Sequence, residues 1–131
     1  SGAGGYGTGV FYFRSTNGGA TWEPGRELYD DADSSARIAV DGQTLHVAFA
    51  DKVTANSFGG RTHYMRSTDN GTTWSNPVDI AGSGVQARQQ VVAADGQVVV
   101  MWQRERTNQA TDPLPADRFG YARSTDGGLT W

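Results

Sequence analysis

The chain has 131 residues, an ordinary length for one domain. Its formal net charge of −3 argues against nucleic-acid binding, which normally needs a basic face, and no apolar run approaches the length of a membrane span. There is no cysteine, so structural disulfides and thiol catalysis are both excluded.

In chain order, the first unit covers about residues 10–30. The run "FYFRST" leads into a polar loop, "RSTNGGATW" (Arg14 to Trp22), and a further strand follows the Trp. The second unit covers about residues 35–81 and holds four strands. "ARIAVDGQTLHVAF" (Ala36 to Phe49) is an apolar run, an Asp-Gly and another apolar run. That pattern predicts a hairpin, with a type I′ turn at Asp41-Gly42 requiring φ > 0 at both residues. After the loop "DKVTANSFGGR" comes a third strand ending in "THYMRST", then "RSTDNGTTW" (Arg66 to Trp74), then a fourth strand in "WSNPVDI". The third unit covers about residues 88–131. "QVVAADGQVVVMW" repeats the hairpin around Asp95-Gly96. A long polar loop, "QRERTNQATDPLPADRFG", precedes "FGYARST" and "RSTDGGLTW" (Arg123 to Trp131), which makes three strands. No stretch sustains helical periodicity.

Trp22, Trp74 and Trp131 are 52 and 57 residues apart. A repeat near that length, with four short strands per unit, predicts an all-β propeller built of antiparallel blades. About nine strands make just over two blades, whereas propellers close with roughly four to eight. The chain is therefore expected to need the remaining blades of a larger propeller, or another chain, to complete it. Two strands at one end and three at the other do not add up to one four-stranded blade, which disfavours a tidy ring of identical chains.

The loops carry a resemblance. Ser67, Asp69, Gly71, Thr73 and Trp74 match the Asp-box, or bacterial neuraminidase repeat, Ser-x-Asp-x-Gly-x-Thr-Trp; so do Ser124, Asp126, Gly128, Thr130 and Trp131. Ser15, Gly19, Thr21 and Trp22 match as well, with Asn17 in place of the Asp. The chain thus resembles part of a sialidase-like β-propeller. That superfamily includes sialidases, other glycosidases and non-catalytic extracellular binding proteins, which implies an extracellular or cell-surface location. The resemblance also implies that the boxes are structural, lying between strands three and four on the face away from the active site. The residue types fit: Asp can hold a tight turn by bonding nearby backbone, Gly permits φ > 0, and Trp covers apolar surface. A group repeated in every blade is a poor candidate for a single catalytic centre.

By that test Tyr12, Tyr64 and Tyr121, and Arg14, Arg66 and Arg123, are blade structure. Tyr6 and Tyr29 occur once each and stay open, because sialidases use a Tyr nucleophile. The resemblance also raises a carboxylate clamp of three arginines, for which bidentate guanidinium geometry is the physical reason. Arg37, Arg88 and Arg104 lie at the relevant strand ends. Anchored on Asp41 and Asp95, Arg37 aligns with Val91 and Arg88 with Ser34. That offset of three reverses their directions on a period-two strand, and no "FRIP"-like motif is present. Asp30, Asp31 and Asp33 are read first as solvated turn residues and second as oxygen ligands for calcium; no cofactor is otherwise expected. His46 is expected to face a neighbouring blade, His63 has no assigned role, and Glu105 is expected to form surface pairs. Two functions remain. The favoured one is a non-catalytic module presenting loops to a glycan or protein. The other is a fragment of a sialidase-type glycoside hydrolase whose catalytic residues lie mostly outside this chain.

Overall fold

The computed structural model describes residues 9–32, 36–52, 60–82, 86–104 and 119–131. Among these, nine strands form three antiparallel sheets and there is no helix. The first sheet pairs β1 (Val10–Tyr12) with β2 (Arg26–Tyr29). The second runs in order through β3 (Arg37–Asp41), β4 (Thr44–Ala50), β5 (Thr62–Ser67) and β6 (Val78–Asp79). The third contains β7 (Gln86–Ala94), β8 (Gln97–Arg104) and β9 (Phe119–Ser124). The chain is an open, propeller-like row of blades.

Two apolar clusters separate the sheets, and the period-two alternation of β4 and β5 creates both. Val47, Phe49 and Met65 pack with Val10 and Ala32 towards the first sheet. Ala48 and Tyr64 point the other way, onto Val91, Val98, Val100 and Trp102. β4 is therefore buried along almost its whole length, as a strand covered on both faces must be. His46 lies on the second of these faces, as expected of a residue facing a neighbouring blade. Its Nδ1 meets the Tyr64 hydroxyl at 2.7 Å.

The two hairpins differ, contrary to the single turn type expected. At Asp95-Gly96 both residues have positive φ, 52° and 75°, the type I′ pattern. In the second sheet Asp41 is the last residue of β3, paired with Thr44. The turn is Gly42-Gln43, with positive φ at Gly42 alone, the type II′ pattern. Asp41 is released from the turn, and its carboxylate accepts the Gly96 N–H of the next hairpin at 2.8 Å.

The Asp-boxes close strands β1, β5 and β9 with one bonding scheme. In the second box Ser67 Oγ donates to Asp69 Oδ1 (2.7 Å) and accepts the Gly71 N–H (2.8 Å). The Asp69 carboxylate also accepts the Thr73 N–H (2.8 Å) and hydroxyl (2.6 Å). The third box repeats this through Ser124, Asp126, Gly128 and Thr130. In the first, Asn17 Oδ1 accepts from Ser15 and the Thr21 N–H, while its Nδ2 donates to Thr21 Oγ1 at 2.7 Å. Asn preserves the geometry by reversing the direction of one bond. The hydroxyl donors hold both carboxylates below the ordinary range. Asp69 falls to about 2, led by the Thr73 hydroxyl; Asp126 falls further, led by Thr130.

The second and third boxes also receive the preceding blade. Tyr12 meets Trp74 edge-on at 5.2 Å, and Tyr64 meets Trp131 at 4.6 Å. Arg14 Nη1 donates to the Asn70 carbonyl at 2.6 Å; Arg66 Nη1 donates to the equivalent Gly127 carbonyl at 2.7 Å. A Cβ on Gly71 would collide with the Tyr12 hydroxyl, and one on Gly128 with the Tyr64 hydroxyl. The repeated Tyr and Arg are thus a clasp between blades.

Candidate functional site

At the opposite end of the blades from the boxes, the end of β2, the end of β4 and the start of β5 converge. Tyr29, Phe49 and His63 form a ring cluster there. Tyr29 and Phe49 are 4.8 Å apart, while His63 stacks on Tyr29 at 5.9 Å and on Phe49 at 5.7 Å. Phe49 is fully buried and forms the floor. Tyr29 and His63 are half-buried and form the rim. Asp51, just beyond β4, accepts from His63 Nε2 through Oδ2 at 2.9 Å and from the Arg61 N–H through Oδ1 at 2.6 Å. Burial raises the Tyr29 hydroxyl pKa above its ordinary value, and the carboxylates of Asp51, Asp31 and Asp30 raise it further. Tyr29 is a neutral hydroxyl with a partly open ring beside a carboxylate. A carboxylate has about four acceptor positions, so Asp51 can take further hydroxyl donors.

The site adjoins a hydrogen-bonded network between the second and third sheets. Gly60 and Gln86 exchange backbone hydrogen bonds at 3.0 and 2.7 Å. Gln86 Oε1 accepts the Thr62 N–H at 2.8 Å, and Gln89 Nε2 donates to Thr62 Oγ1 at 3.1 Å. Gln89 is buried on the same alternation as Val91, and Gln86 is buried because β7 carries a bulge between Ala87 and Gln90, with Arg88 at φ 56°. The extra residue flips the alternation and turns Gln86 inward.

The predicted arginines fall on separate elements. Arg37 starts β3 opposite Ala48 and donates to the Ala36 carbonyl at 3.1 Å. Arg88 occupies the bulge and donates to Gln103 Oε1 at 3.0 Å. Arg104 ends β8 opposite Gln86. The buried residues of the second strands align Leu45 with Val98 and Val47 with Val100, which sets Arg37 level with Gln90. The anchoring on Asp41 and Asp95 was therefore one residue out, because the turns differ, and the bulge removes the simple parity argument for Arg88. Asp30 and Asp31 are exposed. Asp33, Tyr6 and Glu105 lie outside the described residues. Among the described residues no three His, Cys, Asp or Glu side chains group to hold a metal ion.

The sequence leaves Tyr29 open and assigns no role to His63 or Asp51. They are separated from Tyr29 by 34 and 22 positions, and only the pairing of three strand ends brings them together. A signal existed in the repeat: Phe11 and Gly120 occupy the position of His63, so that position varies between blades.

Comparison with known families supports the box assignment directly. The family model described as "BNR/Asp-box repeat" matches residues 13–24 and 65–76, which contain the first two boxes. No curated protein matches the chain.

Proposed function

We propose that this chain, which carries BNR/Asp-box repeats at residues 13–24 and 65–76, is a non-catalytic propeller module of an extracellular or cell-surface protein, binding a glycan on the face opposite its boxes. The observation that carries this reading is the rim of Tyr29, His63 and Asp51 over Phe49. A partly exposed aromatic ring offers a flat apolar face to the C–H groups of a sugar, and a few placed polar groups beside it supply orientation. Asp30, Asp31 and Asp51 give the rim an acidic character, which favours a neutral sugar over a sialylated one.

The alternative is a fragment of a sialidase-type hydrolase. The environment of Tyr29 speaks against it as a nucleophile, since burial and three carboxylates favour its protonated form, whereas nucleophilic activation requires a base or a lowered pKa. A labelled chain tested against neutral and sialylated oligosaccharides separates the readings. Binding to neutral glycans should be lost in Tyr29→Ala and kept in Asp69→Asn. Turnover of a fluorogenic sialoside, or glycan binding indifferent to Tyr29 and Asp51, would overturn the proposal.

A further inference from the structure

Asp51 is held twice through its side chain. Oδ1 accepts the Arg61 N–H at 2.6 Å, and Oδ2 accepts from His63 Nε2 at 2.9 Å. Each carboxylate oxygen has about two acceptor positions, so one remains on each. The side chain is 21 % exposed, so a ligand can reach it.

The donors around it are already spent. The Asp51 N–H donates to the Arg61 carbonyl and the Lys52 N–H to the Asp31 carbonyl, both at 3.0 Å. His63 gives Nε2 to Asp51, and its Nδ1 is buried without a partner, so it offers a ligand only its ring. Of the three rim residues, Asp51 and the Tyr29 hydroxyl keep polar capacity. Their placement is fixed in advance. The chain runs from Tyr29, at the end of β2, to Ala32, which bridges to Asp51. A Cβ on Gly60 would collide with the Asp51 carboxylate, so backbone lies against it. A site ordered before binding loses little entropy on binding.

Such a carboxylate selects by hydrogen-bond polarity, because it can only accept. Anionic sugars bring acceptors, and their charge is repelled by Asp51 and by the nearby Asp30 and Asp31. An ammonium brings donors, but Lys52 follows Asp51 in the chain and Arg61 pairs with it, so positive charge already stands beside the carboxylate. Neutral hydroxyls bring donors without charge, and their bonds to a carboxylate are short and strong. Two hydroxyls on neighbouring ring carbons, set gauche, lie close enough to serve one carboxylate. A trans-diaxial pair points apart and cannot.

Resting on the glycan reading proposed above, we infer that the sugar bound at this rim is a neutral pyranose recognised through a free vicinal diol. One hydroxyl donates to Asp51 Oδ1 and its neighbour to Oδ2, while the C–H face of the same ring lies against Tyr29. The ligand class is therefore glycans that present a sugar with two adjacent unsubstituted hydroxyls.

Methyl glucoside, methyl galactoside and methyl mannoside, titrated into the full chain at up to about 10 mM and followed by ligand-observed NMR, test this. The tightest binder is compared with its monodeoxy and mono-O-methyl analogues. Removing or methylating either hydroxyl of one adjacent pair should weaken binding at least about tenfold, the loss of one bond to a charged group. Changes at the other hydroxyls should matter less than about twofold. In Asp51→Asn, which keeps one acceptor oxygen and turns the other into a donor, the penalty for at least one hydroxyl of the pair should disappear. The analogue series is read on the unaltered chain, so it stands even if that variant is poorly folded. A sugar that binds with no adjacent pair standing out, O-methyl analogues that bind like their parent, or methyl glucosaminide binding more tightly than methyl glucoside would each overturn the inference while leaving the glycan reading in place. If none of the three sugars binds, the glycan reading fails and the inference falls with it.

Discussion

Tyr64→Phe isolates one buried hydrogen bond at the centre of the larger blade interface. Tyr64 and His46 are both 1 % exposed, and the hydroxyl lies 2.7 Å from His46 Nδ1. Burial lowers the pKa of His46 and raises that of Tyr64. Near neutral pH the imidazole is therefore uncharged, and a single hydrogen bond joins Nδ1 to the hydroxyl. Phenylalanine keeps the edge contact with Trp131 and the packing on Ala48, Val98 and Val100. The bond to Nδ1 is lost together with a long contact of 3.5 Å to the Gly127 carbonyl, leaving Nδ1 buried without its partner. A net bond of about 1 kcal/mol and the cost of a stranded polar group together give roughly 2 kcal/mol. For a chain of this length that corresponds to a fall in Tm of about 6–10 °C by calorimetry at pH 7.5. His46→Leu combined with Tyr64→Phe removes both partners and should cost less than the two single changes added together. A Tyr64→Phe chain melting within about 1 °C of the parent, or a double variant that is merely additive, would refute the reasoning.

Asp69→Asn should cost well under half the loss in Tm of Asp69→Ala, because Asn17 already bonds its box in the same way; equal losses would contradict this. Gly128→Ala combines φ +88 with a collision against the Tyr64 hydroxyl and should destabilise by about 3 kcal/mol. Gly42→Ala meets nothing within 4 Å and should cost only about 1–2 kcal/mol of backbone strain; denaturant melts compare the two. Acid should weaken the fold in two stages. His46 has a lowered folded pKa, so its contribution is complete above its ordinary pKa of 6.5 and is lost as pH falls through the folded value. Asp69 titrates near 2 instead of 3.8, so its contribution is present above 3.8 and disappears as pH falls towards 2. Tm measured against pH should show the upper stage vanish in the His46→Leu, Tyr64→Phe chain.

The repeat made the blades legible because it restates itself. Three boxes and alternating strands specify local structure that does not depend on distant partners. The boxes bond internally, so their chemistry could be read from nine residues at a time. The clasp was half legible: the repetition marked Tyr12, Tyr64, Arg14 and Arg66 as structural without saying what they touch. The difference between the hairpins was hidden, because Asp41-Gly42 and Asp95-Gly96 are the same dipeptide. Asp41 is drawn out of its turn by Gly96 of the next blade, a partner 55 residues away. The bulge at Arg88 was hidden for a similar reason, since it lets Gln86 accept the Thr62 N–H beside the bond that Gln89 donates to the Thr62 hydroxyl. The rim of Tyr29, Asp51 and His63 depends on three strand ends meeting, which no spacing in the chain encodes.

Amide hydrogen exchange at the second glycine of each box tests most directly whether the boxes lock one blade to the next. All three glycine N–H groups bond a box serine at 2.8 Å, so the local hydrogen bond is held constant. Gly71 and Gly128 are additionally roofed by Tyr12 and Tyr64, while Gly19 is not. The Gly71 and Gly128 amides should exchange close to the rate of global opening. Gly19 should exchange at least about tenfold faster, as an amide that opens locally does. Equal protection at all three would contradict the clasp and leave the boxes as isolated turns.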